Sequence, residues 1–213
     1  MAVSRWHSAV EPPDQPAPQL NAATHRSRVA LERVLADPDD ADAYKALVVV
    51  YDEMAPEWTE WVQVQPWYTA SVTAGMRHAR PVSWLLEVGC GTGQATAVLS
   101  GLGPHVVATD VNASMLRGAP ALPRTSYVQA DVRRMPFATG RVQLLVALNG
   151  VPHVPEFRRI VAPGGQILWC TSFADGTPLY VSPDRFADML GPDWTAEAGH
   201  AGHGDWVLAT APD

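Results

Sequence analysis

The residues best suited to chemistry lie together in Glu87-Val88-Gly89-Cys90-Gly91-Thr92-Gly93. Three glycines stand at alternate positions, directly after an apolar run that reads as a buried strand, Trp84 to Val88. A helix-forming stretch, Thr92 to Leu102, starts within the loop. Glycines here allow a tight turn and let a ligand approach the backbone closely. The helix start then offers unpaired N–H groups. The spacing is G-x-G-x-G, whereas a loop that places a dinucleotide pyrophosphate has the form G-x-G-x-x-G. Glu87 also stands two residues before the first glycine. A carboxylate there repels a pyrophosphate and attracts a cation. At the end of a buried strand it would otherwise be a costly unpaired charge, so a ligand or a backbone amide is expected as its partner.

Polar residues also follow the later predicted strands. Asp110 follows Val106 to Thr109, Asp131 follows Ser126 to Gln129 by one alanine, and Asn149 follows Val142 to Leu148. Taken with the glycine loop, this order resembles the motifs of class I S-adenosylmethionine-dependent methyltransferases. Their cofactor carries a sulfonium and an ammonium group, which suits the charge of Glu87. The resemblance implies that Gly89, Cys90, Gly91 and Gly93 form the cofactor loop, with Cys90 as a small loop residue. It implies that Asp110 accepts both ribose hydroxyls, with Val111 and Met115 beside it. Asp131 would accept from the adenine amino group, with Val132 against the base. The loop at Asn149 would lie under the methionine moiety and face the acceptor. The stretch Arg158 to Gly165 resembles the family's run before the fifth strand. Upstream, Tyr51-Asp52-Glu53-Met54-Ala55-Pro56-Glu57-Trp58 is similar to an entry segment of small-molecule members, whose tyrosine closes over the cofactor. The resemblance covers residues 80 to 172 well and extends to the last two strands.

These residues need a scaffold, and the chain offers one. Residues 1–21 carry Pro12, Pro13, Pro16 and Pro18 with little apolar content and read as a flexible arm. His7 and Trp6 on it are read as incidental. Residues 22–213 read as one methyltransferase domain, with a helical lid and acceptor region over 22–80 and a Rossmann-like core over 81–213. In the lid, Ala22 to Ala36 reads as a helix. Asp37 to Asp40 breaks it and can cap the next, which carries Tyr44, Leu47, Val48 and Tyr51. The tryptophan-rich stretch with Trp58, Trp61 and Trp67 continues as helix to about Arg77, its rings read mainly as packing. In the core, Asn112 can cap a short helix with Met115 and Leu116. Pro155 to Val161 is a helix, and Pro163-Gly164-Gly165 turns into a fifth strand, Gln166 to Cys170. Ser182-Pro183 starts a last helix. Thr195 to Ala198 and Asp205 to Thr210 form an antiparallel pair. Strands alternating with helices imply parallel pairing by right-handed crossovers. The expected fold is therefore α/β: a Rossmann-like, mostly parallel seven-stranded sheet with helices on both faces, an antiparallel terminal strand and a helical N-terminal lid.

Composition narrows the partners. The chain has 213 residues, a net charge of -7 and a single lysine, Lys45. Nucleic-acid binding needs cations against phosphates, and Asn149-Gly150-Val151-Pro152 departs from the Asn-Pro-Pro-Tyr motif of enzymes that methylate base amines. The expected partner is a small-molecule acceptor, with no nucleic acid and no membrane, and the protein is expected to be a monomer or homodimer. No apolar run approaches the ~20 residues of a membrane span, and the start of the chain lacks the apolar core of a signal peptide. With two cysteines in no ligand spacing, a reduced cytoplasmic protein is expected. His153, the histidine nearest the expected reaction centre, is the candidate general base. His200 and His203 are assigned to a solvated turn, and no metal site is expected. Two other readings stay open: a non-catalytic S-adenosylmethionine-binding protein, and an enzyme of this fold that uses the cofactor without methylating. A nicotinamide oxidoreductase is disfavoured by the loop spacing.

Overall fold

The computed structural model describes residues 3–10, 17–18, 22–65 and 67–213. Pro12, Pro13 and Pro16 of the expected arm lie outside them. Among the described residues the chain forms one eight-stranded sheet with helices on both faces.

The helical layer comes first. After a short 3-10 turn, Ala22–Thr24, helix α1 spans Arg26–Ala36. Asp37-Pro38 ends it. Asp40 then caps α2, Ala41–Gln63, by accepting from the Ala43 N–H at 2.9 Å, the bond expected of an N-cap aspartate. Helix α2 runs through Pro56, which cannot donate to the Asp52 carbonyl. The expected continuous helix to Arg77 is interrupted after Gln63. Trp67 adopts a left-handed φ of 68°, and a short α3 follows over Ala70–Gly75.

The core begins with β2, Trp84–Val88, then α4, Gln94–Gly101, and β3, His105–Asp110. Helix α5, Ala113–Gly118, and β4, Thr125–Gln129, complete one half. The chain then crosses back to β5, Val142–Leu148, on the other side of β2. Helix α6, Val154–Ile160, leads straight into β6, Val161–Cys170. The strand thus starts before Pro163-Gly164-Gly165, and the turn expected there is a register irregularity between Val142 and Leu144 on the partner strand. Helix α7, Pro183–Leu190, is capped by Ser182 as expected. The hairpin β7, Thr195–Ala201, and β8, Gly204–Thr210, closes the fold, with β8 antiparallel to β6.

The arm supplies one correction. Its residues Arg5–Trp6 form β1 and pair parallel with β7, so the sheet has eight strands instead of seven. The backbone there is extended, and the edge of β7 offers it free hydrogen-bonding groups. The spatial order is β1-β7-β8-β6-β5-β2-β3-β4.

Side-chain alternation splits the core into two layers. Leu86, Leu145 and Ala147 pack with α1, α2, α6 and α7, whereas Leu85, Leu144 and Val146 pack with α3 and α4. This is the period-two pattern of a sheet covered on both faces. Leu102, just past the end of α4, is exposed. The strand order reverses between β2 and β5, and that crevice beyond the strand ends is where open α/β sheets bind ligands.

Candidate functional site

Each wall of the site starts from a strand end. The backbone after β2 folds into the glycine loop, where Gly89, Gly91 and Gly93 have φ of 71°, 54° and 87°. L-residues with a Cβ rarely adopt these angles. The Gly89 and Cys90 N–H groups donate to the Thr109 carbonyl at 2.8 and 3.0 Å, and the Thr109 hydroxyl donates to the Glu87 carbonyl at 2.8 Å. The loop is thereby fixed to β3. On the other side, Gly150 Cα lies 3.8 Å from where a Cβ on Gly89 would be, so the β2 and β5 loops stand against each other at the reversal point.

These loops and α2 enclose a cavity of about 370 Å³. Of the residues singled out from the sequence, Tyr51, Glu87, Gly89, Cys90, Gly91, Asp110, Val111, Met115, Asp131, Val132 and Asn149 line it. Gly93 does not. It caps α4 through its backbone, and a Cβ on it would meet Pro120 and the Tyr127 hydroxyl at 3.1 Å.

Three carboxylates reach the cavity in different states. Glu87, 1% exposed, shares a face of β2 with Leu85, and its Oε2 has no hydrogen-bond partner. Burial pushes its carboxyl up to about 7. Asp110 ends β3 and accepts the Gly91 N–H and the Asn112 N–H, both at 2.8 Å. Burial raises its pKa against the pull of those amides. An ionised carboxylate has about four lone-pair sites, so acceptor capacity remains. Asp131 pairs with Arg133 at 2.6 Å and also accepts the Arg133 backbone N–H at 2.9 Å. Burial would raise this carboxyl, but Arg133 outweighs it and holds it below the usual range. The Arg133 guanidinium in turn lies 4.7 Å over the Tyr44 ring.

Asn149 ends β5 with a left-handed φ of 52°. Its amide donates to the Tyr68 hydroxyl at 3.0 Å and the Ser172 hydroxyl at 2.8 Å, and its carbonyl accepts the Ser172 N–H at 2.9 Å. Asn149 therefore braces the floor of the cavity. Asn112, expected as a helix cap, makes no side-chain cap bond. Its amide donates to the Val48 carbonyl at 2.8 Å, tying the β3 loop to α2.

A second cavity, about 230 Å³, shares Tyr51, Trp58, Tyr68 and Asn149 with the first. It is walled further by Met54, Trp61, Phe173 and Pro178, with His25, Glu57 and Thr177 as further polar members. Its rings form a row: Tyr51–Trp58 at 6.0 Å, Trp58–Trp61 at 5.3 Å, Trp61–Tyr68 at 6.4 Å and Tyr68–Phe173 at 5.8 Å. Trp58 and Trp61, assigned from the sequence to packing, thus face open space. Trp67 does not line either cavity.

His153 lines neither cavity. It caps α6, its Nδ1 accepting the Glu156 N–H at 3.2 Å, and burial lowers its pKa. His200 belongs to β7 instead of the turn and pairs with Asp205. Cys90 and Cys170 are free and buried. Sequence reading missed Arg133 and Tyr68. Arg133 left a local trace, an arginine two residues after an acid. Tyr68 left none, because its link to Asn149 spans 81 positions.

The strand order, the reversal point and the glycine loop define a Rossmann-like methyltransferase fold. Residues 86–169 match the family described as "Methyltransferase domain". The chain is 31% identical over 106 residues to the demethylmenaquinone methyltransferase of Clavibacter sepedonicus, covering 45% of this chain and 43% of the relative. It is 32% identical over 99 residues to the malonyl-[acyl-carrier protein] O-methyltransferase of Erwinia billingiae (strain Eb661), covering 43% and 39%. The matched region thus spans less than half the length of these curated relatives. In fold, the chain is similar to DhpI in its S-adenosylhomocysteine complex, with a TM-score of 0.62, 19% identity, and coverage of 78% of this chain and 96% of that one. Among the described residues, no helix is long and apolar enough to cross a membrane.

Proposed function

We propose that the chain is an S-adenosylmethionine-dependent methyltransferase acting on a small, largely apolar and planar acceptor. The observation that carries this reading is the buried Glu87 carboxyl, whose Oε2 has no hydrogen-bond partner, in a cavity that also holds Asp110 and Asp131. Buried ionisable groups need a counter-charge or hydrogen bonds. A ligand that is cationic near Glu87 and rich in donors near Asp110 meets that need, and a pyrophosphate does not.

In this reading Glu87 holds the ammonium end, Asp110 takes the ribose hydroxyls, and Asp131 with Val132 addresses the adenine. Gly89, Cys90 and Gly91 supply the backbone wall, with Gly93 shaping the turn behind it. Tyr51, Val111 and Met115 cover the ligand, and Asn149 holds the floor. The bound cofactor supplies a methyl group on a positively charged sulfur, an activated carbon. Held there by Glu87, Asp110 and Asp131, it would give that methyl group to an electron pair of the acceptor and become S-adenosylhomocysteine. The acceptor's proton leaves to solvent or a base. The chain's part is alignment and exclusion of water. The aromatic row suits that task, since it meets a flat acceptor with rigid faces. His153 is read as a helix cap standing behind Asp131, because its Nδ1 already accepts a backbone N–H. Residues 22–80 serve as lid and acceptor wall, and 81–213 as the core of the same domain. The net charge of -7 favours a small acceptor over nucleic acid. The two free, buried thiols fit a reduced, cytoplasmic setting.

The test is incubation with methyl-labelled S-adenosylmethionine and a panel of phenols, quinols and aromatic amines. The expected result is label in one acceptor class, with an equal amount of S-adenosylhomocysteine formed. Cofactor breakdown that yields other fragments would instead assign non-methylating chemistry.

A further inference from the structure

At the far edge of the sheet, well apart from the cavity, three side chains from separate elements converge. His7 directly follows β1. Glu197 lies on β7, where it is paired in register with Arg5. His78 follows α3. His7 Nε2 lies 2.8 Å from Glu197 Oε2. The rings of His7 and His78 are 4.0 Å apart, and Trp206 flanks them at 5.3 and 4.8 Å. One ligand atom from each of the three residues lies within 4.8 Å of the others.

The geometry points to a divalent transition-metal site, of the zinc class, formed by His7, His78 and Glu197. Two imidazoles and one carboxylate are borderline donors, the set that suits this class and not calcium or magnesium. With bonds of about 2.0–2.1 Å, neighbouring ligands of a tetrahedral ion stand about 3.3 Å apart. The His7–Glu197 contact opens slightly and the wider edges close by rotation of exposed or half-buried side chains. Three protein ligands leave a fourth position for water.

A simple ion pair accounts for His7 and Glu197 but not for His78. The two imidazoles are tilted by 46° and His78 stacks on Trp206, while the Glu197 carboxylate forms its ion pair with His7. Arg5 and Arg77 also act on His78, so Glu197 is the anion that must offset the ion's charge. The site would act as a latch. The arm is held on β7 by the Ser4 and His7 N–H groups donating to the Ala196 and Ala198 carbonyls, both at 2.8 Å. A metal ion would add a side-chain link from the arm to β7 and to the chain after α3. This inference is independent of the proposed methyl transfer.

The test is calorimetric titration of the full chain, stripped with chelator, with zinc chloride. One ion per chain is expected, with a rise in melting temperature of about 5 °C at saturating zinc. His7→Ala and His78→Ala should each weaken zinc binding by about tenfold or more, and His203→Ala in the nearby turn should not. Each variant is checked for an unchanged metal-free melting curve, and Glu197→Gln serves where one fails to fold. Zinc should also slow hydrogen exchange at Ser4 and His7. A folded chain with no saturable zinc binding would overturn the site, as would binding that survives the His7→Ala/His78→Ala double variant.

Discussion

The strand-end loops and the helical layer above them face the same pair of cavities with opposite chemistry. The loops bring Glu87, Asp110 and Asp131, each fixed by its place at a strand end and, for the two aspartates, by backbone N–H bonds at 2.8–2.9 Å. The helical layer brings rings, Tyr51, Trp58, Trp61 and Tyr68, held by packing at centroid distances of 5.3–6.4 Å. Directional bonds give one geometry, and packing tolerates several. On the proposed function, the loop side suits one invariable ligand, and the ring side, apart from the hydrogen-bonded Tyr68, can be reshaped for different acceptors.

That contrast breaks most readily at Glu87. In the ligand-free chain, burial lifts its carboxyl from 4.5 to about 7. A carboxyl raised by folding favours the folded state below its unfolded value and loses that advantage as pH rises through its folded value. Denaturant unfolding should therefore show this group's contribution falling by about 3 kcal/mol between pH 4 and 8. Glu87→Gln should flatten that part of the profile. A cationic ligand should also release a proton on binding near pH 6.5, read as a buffer-dependent binding enthalpy that the variant lacks.

Asp110→Ala tests the loop side directly. It removes the acceptor for the proposed ribose hydroxyls and frees the Gly91 N–H. Affinity for S-adenosylmethionine should drop about ten- to a hundredfold, the worth of one charge-assisted hydrogen bond or slightly more. Unchanged affinity in a folded variant would remove the ribose assignment.

Asn149 is where the two regions meet, and a change there should touch both. Asn149→Gly keeps the left-handed φ accessible while deleting the bonds to Tyr68 and Ser172. A stability loss of about 1–2 kcal/mol is expected by thermal or urea unfolding, with a rise in acceptor KM as Tyr68 loosens. The smallest effect on cofactor binding belongs to Trp61→Ala. It should leave cofactor affinity within about twofold, since nothing charged is lost, and raise acceptor KM. A large loss of cofactor affinity would mean that the two cavities do not divide the work in this way.

The same contrast explains what was legible in the sequence. Strand β5 lies where its apolar run stands, and β2 ends at the glycine loop, because buried parallel strands carry their signal locally. Asp110 could be located because it ends such a run, and Asp131 because it follows the next predicted strand. Tyr68 could not, since only the folded chain brings it to Asn149. Strand β1 was hidden as well: two residues carry no periodicity, and their partner strand is 192 positions away at Glu197 and Ala198. The break between α2 and α3 was missed although Pro66, which lacks the N–H a helix interior needs, stands between them in the sequence. His153 was singled out by nearness in sequence, whereas the geometry of α6 turns it into a cap.

The most direct measurement is calorimetric titration of the purified chain with S-adenosylmethionine, S-adenosylhomocysteine and NAD in parallel. Micromolar binding of the first two, with none of the third, is the result this account predicts. A demonstrably folded sample that binds neither sulfur ligand, or that takes NAD in preference, would contradict it.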